Sequence, residues 1–96
     1  VNMIDFDGNT PLFIAFEKNN YEIIQLLLED KRTDLNHNLI FSIKQSKIQM
    51  TKLILKSNRV DVNMIDSYGK TPLFIAFEEN NYEIIQLLLE DKRTDL

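Results

Sequence analysis

The side chains that could carry out chemistry in this chain are neighbouring carboxylates and one histidine. Acidic residues adjoin at Glu29-Asp30 and at Glu78-Glu79, and paired carboxylates can act as general acid and base or bind a cation. These pairs fall on helix surfaces without the oxygen-rich loop spacing that calcium requires. His37 has no cysteine or second histidine with which to share a transition metal. We therefore predict no metal, and we interpret the acidic pairs as solvated surface and His37 as a structural loop residue.

No set of residues for covalent catalysis can be assembled from the remaining positions. No serine stands in a glycine-flanked elbow, and no nucleophile is accompanied by a base and an orienting group. The two glycines are isolated, so there is no phosphate-binding loop. We predict that the chain is not an enzyme and uses no cofactor.

The composition describes one ordered, acidic domain. The chain has 96 residues, 44% of them hydrophobic, with only two glycines and two prolines, which favours a helix-rich fold. The net charge of −4 argues against nucleic-acid binding. No apolar run approaches the ~20 residues that a membrane helix needs. The absence of cysteine weakly favours a cytoplasmic setting.

The elements that position these side chains come from an internal duplication. Residues 1–35 recur at residues 62–96 with 31 of 35 positions identical. The differences are Phe6/Ser67, Asp7/Tyr68, Asn9/Lys70 and Lys18/Glu79. A segment this short cannot bury its own apolar face, so it must stack on a neighbour.

Each copy contains the signals for two short helices. Gly8 closes a turn, and Thr10-Pro11 supplies an N-cap and a first helical residue. Asn19 tolerates a left-handed backbone and Asn20 caps a second helix. That second helix, which begins at Tyr21, is apolar over most of its circumference, as expected between layers.

The middle of the chain is a shorter version of the same unit. Residues 39–55 overlay residues 73–89 without gaps, whereas seven residues are missing between Asn36 and Leu39 relative to the segment from Asn63 to Leu73. The missing residues comprise the turn and the start of the first helix. The sequence therefore predicts three units, at about 1–34, 35–61 and 62–96, in one array that we expect to be a segment of a longer one.

The middle unit is also basic. It carries Lys44, Lys47, Lys52, Lys56 and Arg59 with no acid between residues 36 and 60. One interpretation is a patch for an acidic partner. The other, which we favour, is charge complementarity along the stack, because Lys44 falls in register between Glu17 and Glu78, and Lys56 between Glu29 and Glu90.

These motifs resemble the ankyrin repeat. The pattern Asp5-x-x-Gly8-x-Thr10-Pro11-Leu12-x-x-Ala15, repeated from Asp66 to Ala76, carries the resemblance together with the apolar second helix and the period. Phe13 and Phe74 replace a histidine common in the family, and Asn19 and Asn80 replace its usual glycine. The resemblance implies an all-α solenoid of stacked helix-turn-helix pairs with short hairpin loops, called fingers below, the middle finger being absent.

The resemblance also implies a protein-binding surface on the finger tips and on the concave face of the first helices. In this sequence those places are Phe6, Asp7, Asn9, Glu17, Lys18, Ser67, Tyr68, Lys70, Glu78 and Glu79. All four differences between the copies fall within this set. This clustering of the differences is explained equally well by divergence of a contact surface and by drift at exposed positions. Phe6 and Tyr68 are either anchors for a partner or aromatic rings that rest on a neighbouring finger.

The leading hypothesis is a protein-interaction module. The alternative is a spacer that packs against other domains of a larger protein, such as a kinase, channel or ubiquitin-ligase component. Both terminal units lack the polar outer face of capping repeats, so the sequence also predicts end-to-end self-association.

Overall fold

A computed structural model describes residues 8–96, which contain six helices and no β-strand. This confirms the all-α prediction. The helices are α1 Pro11–Glu17, α2 Tyr21–Glu29, α3 Leu35–Lys44, α4 Ile48–Leu55, α5 Pro72–Glu79 and α6 Tyr82–Glu90. Consecutive helices pack as the pairs α1–α2, α3–α4 and α5–α6, and the second pair lies between the other two.

The helix starts follow the capping residues of the sequence. The hydroxyls of Thr10 and Thr71 accept hydrogen bonds from the backbone N–H groups of Phe13 and Phe74, the third residues of α1 and α5, at 3.1 and 3.2 Å, and a proline opens both helices. The side-chain oxygens of Asn20 and Asn81 cap α2 and α6 in the same way. Each cap satisfies a backbone donor that the helix itself leaves free.

A left-handed residue separates the two helices of every pair. Asn19, Ser46 and Asn80 have φ angles of 54, 56 and 55°. Asparagine tolerates this conformation better than most residues because its short polar side chain can bond locally. The predicted turn at Asn19 is confirmed, and the same turn recurs in all three pairs.

The first helix of the middle pair begins earlier than the sequence alignment predicts. Residues 34–36 align with the loop residues 61–63, yet α3 already begins at Leu35, with Asp34 as its N-cap accepting from the backbone N–H of His37 at 2.9 Å. The expectation that His37 is a loop residue is therefore wrong. With the finger absent, the chain enters the helix directly and the carboxylate of Asp34 replaces the threonine cap.

An asparagine side chain also links the start of a unit to its end. The Oδ1 atom of Asn36 accepts from the backbone N–H of Asp61 at 2.8 Å, and that of Asn63 accepts from Asp95 at 2.8 Å. The first pair is 25 residues apart and the second 32. The seven-residue deletion therefore changes the chain length within the unit without changing this connection.

Arginines tie each unit to the one before it. The guanidinium of Arg59 donates to the backbone carbonyls of Leu28 and Asp30, and Arg93 donates to those of Leu55 and Ser57. The carbonyls at a helix C-terminus lack partners within the helix and carry partial negative charge. We call this repeated contact the arginine clasp.

The core runs continuously through all three pairs. Its fully buried side chains come from all three pairs, with the middle pair contributing most: Leu12, Leu39, Ile43, Met50, Ile54, Ile75, Ile84 and Leu88. A buried hydrogen bond of 2.8 Å between Ser42 and Thr51 joins α3 to α4. Only the middle pair is covered on both sides.

The duplicated sequence provides a matched test of this stacking. Ile23 and Ile84 occupy the same position of identical helices, but Ile23 is 45% exposed and Ile84 is 0% exposed because the middle pair covers it. We expect Ile84→Ala to lower the free energy of unfolding by about 2–4 kcal/mol. Ile23→Ala should cost less than about 1 kcal/mol. Urea unfolding of dilute protein measures both values, and equal losses would contradict the stacking.

Candidate functional site

A groove lies where the middle finger is missing. Its volume is about 490 Å³, and one wall is the exposed side of α3 while the other is the finger of the third unit, residues 62–71. We call it the finger gap. Its lining residues are Asp34, Asn36, His37, Ile40 and Lys44 from the first wall and Met64, Asp66, Ser67 and Tyr68 from the second.

The third finger is held in shape by one carboxylate. The Oδ1 atom of Asp66 accepts from the backbone N–H groups of Tyr68 at 2.8 Å and Lys70 at 2.9 Å. The backbone of Asp66 also accepts from Gly69, which has a φ of 76°. Glycine adopts such an angle without steric cost. The tight turn leaves Ser67 and Tyr68 exposed at the tip, and Tyr68 is 79% exposed.

The hydrogen bonds at this turn favour the ionised form of Asp66. The backbone N–H of Lys70 lowers the pKa of the carboxyl below its usual value, and the N–H of Tyr68 lowers it further. The charge of Lys44, across the finger gap on α3, acts in the same direction. The finger gap therefore contains a carboxylate and an ammonium group beside the apolar side chains of Ile40 and Met64.

Three of the predicted site residues come together beside the finger. The ammonium group of Lys70 lies 2.9 and 3.0 Å from the two carboxylate oxygens of Glu78. The same nitrogen lies 5.7 Å from the centre of the Phe74 ring and 5.9 Å from that of Tyr68. Both rings are within the range of a cation–π interaction. The hydrogen bond to Glu78 raises the pKa of Lys70, so this lysine stays charged.

The first unit has an equivalent cluster of a phenylalanine and a glutamate, but the cation beside them is a lysine of the middle unit. Lys47, the N-cap residue of α4, lies 3.1 Å from the carboxylate of Glu17 and 5.7 Å from the centre of the Phe13 ring. The four salt bridges of the described chain include neither Lys44 nor Lys56. The closest charge contacts therefore differ from the columns that the sequence register suggests, because a lysine at a helix start reaches sideways to the adjacent unit.

The remaining predicted site residues are placed separately. Lys18 and Glu79 are exposed at the ends of α1 and α5, and Asn9 is half-buried before α1. Phe6 and Asp7 lie outside the described residues. The structure thus brings Ser67 and Tyr68 to the finger gap and engages Glu17, Lys70 and Glu78 in ion pairs.

Sequence reasoning missed the opposite wall of the finger gap. His37, Ile40 and Lys44 were not in the predicted site, although all three line the groove. The signal was present in the seven-residue deletion, because removing a finger uncovers the helix beside it. Between residues 8 and 96 there is no group of three or more potential metal ligands. In the same range no helix has the length and apolar character needed to cross a bilayer.

Comparison with known proteins identifies the family. A family model of three ankyrin repeats matches residues 36–96, and a single ankyrin repeat model matches residues 7–38. The chain belongs to the ankyrin repeat family, which confirms the resemblance in its sequence motifs.

The relatives are large proteins of several kinds. The chain is 31% identical to human transient receptor potential cation channel subfamily A member 1, covering 91% of this chain and 8% of the channel. It is 31% identical to human short transient receptor potential channel 4, with 94% of the chain and 10% of the channel covered. A putative ankyrin repeat protein of Acanthamoeba polyphaga mimivirus is also 31% identical, covering 95% and 12%. The chain thus spans about a tenth of the length of these relatives.

The lowered pKa of Asp66 predicts how the finger responds to acid. The carboxylate form stabilises the turn above the ordinary aspartate pKa of about 4, and this contribution is lost as the pH falls through the lower value in the folded chain. We expect the amide NMR signals of Tyr68 and Lys70 to titrate with a midpoint below about 4. Asp66→Asn should remove the transition, and a wild-type midpoint at or above 4 would contradict the hydrogen bonding described.

Proposed function

We propose that this chain is a non-catalytic protein-interaction module that binds a protein partner in the finger gap. The observation that carries the proposal is the groove of about 490 Å³ between α3 and the third finger, with exposed Tyr68 at its edge. Membership in the ankyrin repeat family supports it, because such repeats generally bind proteins. An exposed aromatic side chain beside a groove is a favourable anchor for a partner.

The lining of the groove favours an extended segment of mixed character. The half-buried Met64 offers apolar surface beside Ile40, which is itself only 7% exposed, while Lys44 and Asp66 offer one charge of each sign. A partner segment with an apolar side chain between polar neighbours would match both the apolar and the charged parts of this lining. The missing finger leaves room for such a segment beside α3.

The wider set of contact residues remains part of this proposal. Ser67 and Tyr68 are the strongest candidates for contact with a partner because they border the finger gap. Lys18 and Glu79, exposed on the first helices, extend the surface. Glu17, Lys70 and Glu78 contribute through the ion pairs described above, and Asn9, Phe6 and Asp7 complete the set that the sequence predicts.

The alternative function is an intramolecular one. The observation that favours it is that the chain matches only 6–12% of the length of several relatives. On this hypothesis the three units belong to a longer array, in a cytoplasmic part of a larger protein, and the finger gap receives a segment of that same protein. The binding surface is then still the finger gap, but the segment that occupies it belongs to the same polypeptide.

Tyr68→Ala tests the proposed surface. We expect the immobilised chain to retain a defined set of proteins from a cell extract, and Tyr68→Ala to lose that set because the anchor is gone. Phe6→Ala combined with Tyr68→Ala should abolish retention and leave the melting temperature nearly unchanged. Quantitative mass spectrometry of the retained proteins measures the loss.

Tyr82→Ala is the matched control, because Tyr82 is a similarly exposed tyrosine outside the finger gap. Equal retention by wild type, Tyr68→Ala and Tyr82→Ala would contradict the proposed site. If no protein is retained in trans and only flanking segments of the same protein bind, the spacer hypothesis replaces the leading one.

A further inference from the structure

The first helix of every unit presents the same pair of positions near its end. The second position of the pair is charged in all three units, and the first lies one turn earlier. Residues four apart lie on the same side of a helix, so the two side chains of a pair are neighbours. The three pairs are Phe13 with Glu17 on α1, Ile40 with Lys44 on α3, and Phe74 with Glu78 on α5.

The pairs of the first and third units each hold a cation. The ammonium group of Lys47 lies 3.1 Å from the carboxylate of the first pair and 5.7 Å from the centre of its ring. The ammonium group of Lys70 lies 2.9 Å from the carboxylate of the third pair and 5.7 Å from the centre of its ring. An aromatic ring and a carboxylate therefore act together as a cation site in both units.

The pair of the middle unit is the chemical inverse of the other two. The aliphatic Ile40 stands in place of the ring and Lys44 in place of the carboxylate, and both line the finger gap. Lys44 is exposed, and no salt bridge within residues 8–96 includes it. The group that would complete this pair, as a cation completes the other two, is an anion.

The acids that line the finger gap do not supply this anion. Asp66 lies on the opposite wall, where its Oδ1 atom accepts from two backbone N–H groups of its own turn. The charge of Lys44 lowers the pKa of Asp66 through space, without a salt bridge between them. Asp34 caps the opposite end of α3, about 15 Å from Lys44 at 1.5 Å per residue.

The missing finger explains why the middle pair is incomplete. In the third unit the cation comes from the finger itself, because Lys70 belongs to residues 62–71 and bonds to Glu78 of the helix that follows. The corresponding part of the middle unit is deleted. A segment that enters the finger gap takes the place of that finger, and its side chains lie where the charged side chain of a finger would lie.

The length of α3 sets the length of a segment that fits the groove. The lining residues of this wall run from Asp34 to Lys44, a distance of about 15 Å. An extended chain rises about 3.3 Å per residue, so about five residues span it. Ile40 lies one turn before Lys44, and the half-buried Met64 on the other wall adds apolar surface. An apolar side chain at the centre of the segment would contact both walls.

We propose that the finger gap selects an extended segment of a protein partner that carries an aspartate or glutamate side chain at the Lys44 end. The inference rests on the proposed function and adds to it the charge of the partner. The carboxylate of the segment completes the middle pair as Lys47 and Lys70 complete the other two, with the signs reversed. An apolar residue of the segment, about two positions from the acid, packs beside Ile40.

Binding of short synthetic peptides measures this selection. Each peptide has a central leucine and carries glutamate, glutamine or lysine near it, on the N-terminal or the C-terminal side. By fluorescence anisotropy we expect the whole chain to bind the better glutamate peptide about three- to tenfold more tightly than its glutamine counterpart. The lysine peptides should bind most weakly. The preference should vanish in about 1 M salt, which screens exposed charges.

Reversal of the charge on α3 is the decisive variant. Lys44→Glu should invert the order, so that lysine peptides bind most tightly, and Lys44→Gln should remove the preference. Lys56→Glu is the matched control, because Lys56 is an exposed lysine of the same unit that lies outside the finger gap and forms no salt bridge within residues 8–96. It should keep the preference for glutamate. Circular dichroism and the amide signals of Tyr68 and Lys70 establish that each variant retains its fold and its finger.

The outcomes separate this inference from the proposed function. Binding that Tyr68→Ala weakens, but that is indifferent to the charge of the peptide or to Lys44→Glu, would overturn the selection and leave the finger gap as a binding site. An equal change with Lys56→Glu would assign the preference to the net charge of the unit and would overturn it too. If no peptide binds, the selection fails, and retention of proteins from a cell extract then decides the proposed function by itself.

Discussion

The constraint on which this structure depends is that a pair of short helices has two apolar sides and cannot cover either by itself. Residues 21–29 and 82–90 have the same sequence, yet Leu27 is half-buried and Leu88 is fully buried. The neighbouring pair decides which side chains become core. The arginine clasp then fixes the register between pairs, because each guanidinium reaches from one unit to the backbone of the unit before it. The asparagine bonds close each of the last two units on itself.

This dependence links the missing finger to the proposed function. The deletion removes only the part of the middle unit that lies outside the stack, so the packing of α3 against α1 and α5 persists. What it uncovers is the exposed side of α3, with His37 and Lys44 at the surface. The neighbouring finger, held by Asp66, supplies the opposite wall. The groove thus forms while the contacts of α3 with α1 and α5 are kept.

Much of the fold could be predicted from residues whose effect is local. Thr10, Asn19 and Asn20 cap and turn the helices as their residue types indicate, and the alignment of the middle unit with the third identified the absent finger. The early start of α3 could not be read from an alignment, because Asp34 gains its capping role only when the finger is gone. The site was harder to predict. Lys70 was identified as a surface position, but its contacts with Phe74 and Glu78 depend on how the finger folds over α5.

The central claim, that stacking and not local sequence creates the structure, can be measured on residues 62–96 alone. Their two helices are 8 and 9 residues long, below the ~12–15 residues at which isolated helices become marginally stable in water. Far-ultraviolet circular dichroism should show that this peptide is largely unfolded, whereas the 96-residue chain gives a strong helical signal and a cooperative melt. A peptide with the same helical signal per residue as the whole chain, and its own cooperative melt, would contradict the account.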